Sequence, residues 1–137
     1  MKILIELPTW LGDTVMATPA IENLTNFFDD SQITLIGSYV AVDALKNHPK
    51  VIKAIVLDKK YSNLYSNGKI LGEFDFFFSF RGSIRSKFLK FSVAAKAKFQ
   101  FDKRKYNKMH QVEKYNNFIN DSLNTNTIAG KLILHNI

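Results

Sequence analysis

The chain has 137 residues, 46% hydrophobic and 23% charged, a composition that fits one globular domain and excludes a disordered or fibrous protein. It has no cysteine, which excludes disulfides, thiolate metal sites and a cysteine nucleophile. The formal charge of +7 is local: residues 81–108 hold ten of the nineteen Lys and Arg against one acid, Asp102, for a net +9, while the remainder sums to −2. The expected partner of that stretch is an anion.

In chain order, KILIEL (2–7) reads as a buried strand, and its opening is broken by Glu6 and Pro8 too early for a signal-peptide core. Ala17, Ala20, Ile21, Leu24 and Phe28 then recur at helical spacing on one face. A helix starting at Thr14 would carry Pro19 in its interior and lose a hydrogen bond. One capped by Thr18 would hold Pro19 at its first position and leave Asp13 in a free loop. Strands follow at 32–37 and 52–57, with a short helix at about 40–47 between them. YSNLYSNGK (61–69) reads as a surface loop or a frayed helix. A fourth strand occupies 74–79, a helix about 83–94, a weaker strand 96–101 and a clearer helix 110–123, where Val112, Tyr115, Ile119 and Leu123 share a face. After the polar NTNTIAG, KLILHNI suggests a last strand at 131–136. Phe76, Phe77, Phe78, Phe88 and Phe91 are read as core. Alternation of strands and helices implies crossover connections, hence a Rossmann-like open α/β fold with a mostly parallel sheet and helices on both faces. No apolar run reaches the roughly 18 residues of a membrane helix, so any membrane contact is expected to be peripheral.

Ligands of open α/β sheets gather at the carboxyl ends of the strands, which directs attention to LPTWLGDTVMATPA after the first strand. Its single Gly12 supports neither a dinucleotide fingerprint nor a phosphate loop. The stretch resembles the N-terminal signature of the bacterial ADP-heptose:lipopolysaccharide heptosyltransferases (glycosyltransferase family 9), through Leu7, Pro8, Trp10, Gly12, Asp13, Met16, Thr18, Pro19 and Ala20. FFFSFRGSIRSKFL is similar to the family's strand and Ser/Arg-rich helix start, and His110, Val112 and Tyr115 to its His-x-Val-x-x-Tyr helix.

That resemblance implies the N-terminal half of a GT-B enzyme, with the active site between two facing Rossmann-like domains. Residues 1–130 would form the acceptor-side domain, and 131–137 the start of a linker or strand toward an absent C-terminal donor domain. ADP-heptose is expected to bind that other domain, so these residues alone would transfer nothing, and no cofactor or metal is expected in them. The resemblance makes Asp13 the base that takes a proton from the acceptor hydroxyl in an inverting transfer; the bland alternative is a helix N-cap. Gly12 suits close backbone approach or positive φ, and Trp10 either stacks on a sugar or covers the end of the sheet. Arg81 and Arg85 lie just past the fourth strand, where guanidinium forks grip the phosphate and carboxylate groups of a lipid-linked, anionic inner-core acceptor. Their bland alternative is a solvated helix face. His110 matches a family position, although a lone His at a helix start is more often a surface or capping residue. Lys87, Lys90, Lys96, Lys98, Lys103, Arg104, Lys105 and Lys108 are individually surface charges that together could hold the domain against an anionic inner membrane. His48 and His135 have no evident partners.

Two rival readings remain open at this stage. One is a basic α/β binding module for nucleic acid or anionic membrane, with nucleic acid disfavoured because the basic stretch shows no recognisable pattern of exposed aromatics. The other is a degenerate, non-catalytic remnant of a transferase. The cytoplasm, at the inner face of the inner membrane, is the expected location.

Overall fold

The structure is a computed structural model that describes residues 1–57, 67–106 and 109–134. Five strands, β1 (Lys2–Glu6), β2 (Gln32–Gly37), β3 (Val51–Val56), β4 (Glu73–Ser79) and β5 (Ala94–Gln100), form one sheet in the order β3-β2-β1-β4-β5. All four pairings are parallel. The helices are α1 (Leu11–Met16), α2 (Thr18–Phe27), α3 (Tyr39–Leu45), α4 (Ile84–Ser92) and α5 (Gln111–Leu123), with 3-10 turns at Gly68–Leu71 and Lys103–Tyr106. This is the expected Rossmann-like architecture. The chain winds outward from β1 to β3, crosses back and continues through β4, so the strand order reverses between β1 and β4, where such sheets bind ligands.

The period-2 geometry of β1 divides the core. Ile3, Ile5 and Leu7 point to the face covered by α2, α3 and α5, and pack there with Leu24, Val42, Leu45, Phe78, Phe80 and Phe118. Leu4 points to the other face and packs with Ile36, Phe74, Phe77, Leu89 and Val93 beneath α4. Such an all-buried central strand has to be apolar on both faces, which is why KILIEL reads as a run rather than an alternation. Glu6, on the α4 side and fully buried, is the exception.

The first helix is broken. α1 and α2 meet at Ala17, whose backbone N–H reaches Asp13 O and Thr14 O, and Pro19 lies in the first turn of α2, where its missing N–H costs nothing. Thr18 is therefore the first residue of α2 rather than its cap, and Asp13 sits in the first turn of α1 rather than in a free loop. Thr18 Oγ1 bonds Val15 O at 2.7 Å and accepts from Ile133 N at 3.0 Å. α3 and α4 are capped by Ser38 and Ser83, and α5 ends on Asn124 in the left-handed conformation.

Residues 131–134 form no strand; the polar stretch before them is tied down by side chains instead. Buried Asn120 accepts from Thr127 N and Thr127 Oγ1 and donates to Thr127 O, while Asn116 also donates to Thr127 O and accepts from Asn23. The expectations for 61–66, Lys108 and His135 lie outside the described residues. His48 has partners after all: its Nε2 is 2.7 Å from Glu22 Oε1, and its Nδ1 accepts from Lys50 N.

Two phenylalanines assigned to the core are on the surface. Phe88 is 61% and Phe91 88% exposed, because α4 packs through Ser86 and Leu89, and both phenylalanines lie with exposed Ile84 on the face opposite those two. Phe77 and Phe78 are fully buried, and Phe76 packs half-buried against Phe28, Phe78 and Phe99. The basic stretch thus does contain exposed aromatics, which removes one of the arguments made from the sequence against a nucleic-acid partner.

Candidate functional site: a basic cleft at the switch point

A cleft of about 870 Å³ opens at the carboxyl ends of β1, β4 and β5. Its first wall follows β1 and consists of Pro8, Thr9, Trp10 and Asp13. Backbone bonds fix this wall: Leu7 N donates to Ile36 O at 2.9 Å and Ser38 Oγ to Thr9 O at 2.8 Å. Buried Thr14 Oγ1 lies 2.9 Å from Trp10 O and 3.2 Å from Pro8 O. These bonds place Asp13, half-buried, at the mouth of the cleft. Trp10 is the N-cap residue of α1 and makes no side-chain cap, and Asp13 does not act as one either. The Trp10 ring is 71% exposed, so it stands clear of the sheet end rather than covering it.

The opposite wall begins after β4 with Phe80, Arg81, Gly82 and Ser83, continues through Lys87 and Lys90 of α4, and ends after β5 with Gln100, Phe101, Asp102, Lys103 and Arg104. Gln100 Nε2 donates to Arg81 O at 3.0 Å and to Ser83 O at 3.2 Å, pinning the turn. A Cβ at Gly82 would meet Phe101 O at 3.1 Å, a tight contact that Phe101 would have to relieve by a few tenths of an ångström. The floor is α5, through Gln111, Lys114 and Tyr115. Burial pushes the Tyr115 hydroxyl up to about 12, with the Asp13 charge adding to it and the Gln111 hydrogen bond opposing. Tyr115 therefore stays protonated beside Asp13 at any physiological pH.

Six cations line this cleft, Arg81, Lys87, Lys90, Lys103, Arg104 and Lys114, against Asp13 and Asp102. Asp102 is engaged by Arg104, Nε to Oδ1 and Nη2 to Oδ2 both at 3.2 Å, which holds its carboxyl below the ordinary range. Arg81 faces Glu6 across 3.7 Å, and Lys87, Lys90, Lys103 and Lys114 add to the positive charge within a concave surface, the arrangement that focuses attraction on an anion.

Beneath the cleft lies Glu6. Its Oε1 accepts from Ser79 Oγ at 2.5 Å, and its Oε2 has no hydrogen bond but is 3.7 Å from Arg81 Nη1. Burial raises its carboxyl above the ordinary range, with Ser79, Ser86 and Arg81 opposing.

Of the residues singled out from the sequence, the fold brings Asp13, Trp10 and Arg81 to one cleft. Gly12, Arg85 and His110 do not line it. Gly12 has neither a positive φ nor a protein atom within 4 Å of where a Cβ would stand, so nothing among the described residues requires a glycine there. Arg85 is exposed on the side of α4 away from the cleft-lining Lys87 and Lys90, and His110 is the exposed N-cap residue of α5 without a side-chain cap. Lys114, Gln100 and Glu6 were missed. Only Lys114 had a legible signal, standing beside Tyr115 on the predicted helix. Among the described residues no group of three or more His, Asp or Glu could hold a metal ion, and no helix is long and apolar enough to cross a membrane.

An open parallel sheet with a basic, carboxylate-bearing cleft at its switch point defines a Rossmann-like α/β fold with a candidate ligand site, and known proteins narrow that class. No family model matches the sequence. The chain is 44% identical over 125 residues, 90% of its length, to lipooligosaccharide heptosyltransferase 2 of Campylobacter jejuni serotype O:2, and 41% identical to that of serotype O:6. It spans 39% of the length of these curated relatives. Among solved structures, E. coli heptosyltransferase WaaC with ADP-2-deoxy-2-fluoro heptose superposes with a TM-score of 0.76 at 13% identity, covering 96% of this chain and 51% of that one. A glycosyl transferase family 9 protein of Veillonella parvula gives 0.76 at 17% identity, covering 98% and 44%. At these identities the structures speak for the fold alone. Together with the curated relatives, they bear out the resemblance to the lipopolysaccharide heptosyltransferases first drawn from LPTWLGD.

Proposed function

We propose that these residues form the acceptor-holding side of a glycosyltransferase that moves heptose from ADP-heptose onto the lipopolysaccharide inner core, with inversion at the anomeric carbon. The observation that carries this reading is one cleft that joins a carboxylate on a tied-down backbone, Asp13, to six cations at the switch point. Residues 1–130 are the acceptor-side domain in this reading, and 131–137 lead on from it.

The cations meet the phosphate and carboxylate groups of a lipid-linked acceptor, with Arg81 able to grip two oxygens at once. An acceptor hydroxyl so placed attacks the anomeric carbon as its proton passes to the Asp13 carboxylate, and the bond from that carbon to the ADP oxygen breaks, ADP leaving with the electron pair. The Tyr115 hydroxyl, kept protonated, offers a hydrogen bond beside Asp13. ADP-heptose is held by residues outside these 137, so the 137-residue chain binds acceptor without turning over donor. Work on such an acceptor places the protein at the cytoplasmic face of the inner membrane.

The test is a calorimetric titration of the chain with a deacylated inner-core oligosaccharide bearing phosphate and carboxylate groups. Saturable binding that weakens with salt and falls by about tenfold or more in Arg81→Ala is expected. No binding at low salt, or turnover of ADP-heptose by the chain alone, would sink this reading.

A further inference from the structure

α4 carries an apolar stripe that nothing in the described structure covers. At 100° per residue, Ile84, Phe88 and Phe91 fall within a narrow sector directly opposite the buried Ser86 and Leu89. Ile84 is 70% exposed, and the two phenylalanines are more than half exposed as noted above. The 3-10 turn that adds exposed Ile70 and Lys69 packs on the same helix, through Gly68 N donating to Ser92 Oγ at 2.8 Å. Isolated exposed apolar residues need no explanation, but three in register on a nine-residue helix form an apolar face that is exposed among the described residues.

The surroundings of the stripe indicate what meets it. Arg85 flanks it on one side and Lys87 on the other, and Lys98 Nζ lies 3.4 Å from Phe91 O at the far end of the helix. Residues 81–101 contain no acid. Apolar side chains with Arg85 on one side and Lys87 and Lys90 on the other match an interface whose outer layer is anionic and whose next layer is hydrocarbon. A second copy fits poorly, because a two-fold contact would set the same cations against each other. A nucleic acid fits poorly too, since single strands are held in grooves with stacked bases, whereas this surface is a convex helix with two isoleucines beside it. The helix also joins this stripe to the cleft, because Lys87 and Lys90 line the cleft wall.

We infer that the outer face of α4, Ile84, Phe88 and Phe91 between Arg85 and Lys87, is a docking surface that inserts into an anionic phospholipid monolayer and sets the cleft mouth beside it. The inference deepens the reading of a lipid-linked acceptor by naming the surface that meets the lipid, and its test requires no saccharide. The 137-residue chain is floated with vesicles of phosphatidylcholine alone and of phosphatidylcholine mixed with phosphatidylglycerol. It should bind only the mixed vesicles, and Phe88→Ser with Phe91→Ser should weaken that binding by about tenfold or more. Both rings are exposed, so circular dichroism and thermal midpoint should match the parent chain.

Absence of binding to the mixed vesicles, or binding that the double variant leaves unchanged, overturns the inference. It is equally overturned if the parent chain forms a dimer without lipid that the double variant lacks, or binds single-stranded DNA through the same two rings. Loss of vesicle binding with oligosaccharide affinity intact supports docking through α4 independently of the transfer chemistry. Vesicle binding that persists in a chain unable to bind the oligosaccharide leaves the docking surface standing while the acceptor reading falls.

Discussion

The wall of the cleft that follows β1 is set by backbone: Thr14 ties Pro8 and Trp10, Ser38 ties Thr9, and a single carboxylate, Asp13, projects from it. The wall that follows β4 and β5 has a pinned turn too, but its working groups are the ends of long side chains, and Lys87, Lys103 and Arg104 are exposed. The contrast follows from range. Proton transfer requires heavy atoms within hydrogen-bond reach, so a base must be held in place, whereas attraction between charges falls slowly with distance and tolerates mobile lysines. A cleft divided in this way suits a ligand whose charged groups may settle variably while one hydroxyl must be presented accurately.

The largest effect that could break this division is at Asp13. In a polypeptide carrying these residues together with the remaining length its relatives have, Asp13→Asn should lower kcat for heptosyl transfer by about 10²- to 10⁴-fold with little change in acceptor KM. A loss confined to KM would move Asp13 to the binding side. On the other wall, Arg81→Ala should weaken acceptor binding by about tenfold to a hundredfold, the value of one charge-assisted contact, and Arg81→Lys should recover only part of it because a point charge cannot replace the fork. Calorimetry at two salt concentrations checks both, and the variant with alanine should also show the weaker salt dependence.

The first wall was far more legible in the sequence than the second. Trp10 and Asp13 sit within a few residues of a strand end, where the fold class itself directs attention, and the apolar run of β1 leaves little freedom in locating that end. The strands and α5 were likewise readable, because Phe77, Phe78, Tyr115 and Ile119 keep the periods that packing demands. The second wall gathers residues from α4, the turn after β5 and α5, and nothing in sequence spacing says that Lys114 and Lys103 share a cleft. α4 misled for a related reason: phenylalanine was equated with core, while the small Ser86 in fact faces inward beside Leu89. Glu6 looked like an interruption in a strand, and its pairing with Ser79 and Arg81 spans more than 70 residues of chain.

A smaller effect tests whether the rigidity of the first wall matters. Thr14→Val keeps the shape of the side chain but removes the hydroxyl that serves Pro8 O and Trp10 O, and unfolding in urea should show a loss of about 1–2 kcal/mol. If the wall positions Asp13, kcat should fall in the same variant while oligosaccharide affinity holds; an unchanged kcat would mean that the carboxylate tolerates a looser frame.

The smallest effect concerns Glu6, which lies under both walls, on β1 but against Arg81. Because burial raises its carboxyl, the folded chain holds a proton that the unfolded chain has already released across a window above the ordinary carboxylate range. Below that window both states are protonated and the group adds no pH dependence. Through it, stability falls as pH rises, until the folded carboxyl ionises as well. Glu6→Gln keeps an acceptor for Ser79 but has nothing to ionise, so relative to the parent chain it should gain stability as pH rises through that window and flatten the stability profile. The same change replaces the carboxyl oxygen that faces the Arg81 guanidinium with an amide, so oligosaccharide binding at neutral pH should weaken even as the chain becomes more stable. Thermal midpoints across pH and one titration at neutral pH separate the two effects. A stabilised variant with undiminished binding would show that Arg81 is placed by the Gln100 bonds of its own wall, and that the two sides of the cleft act independently.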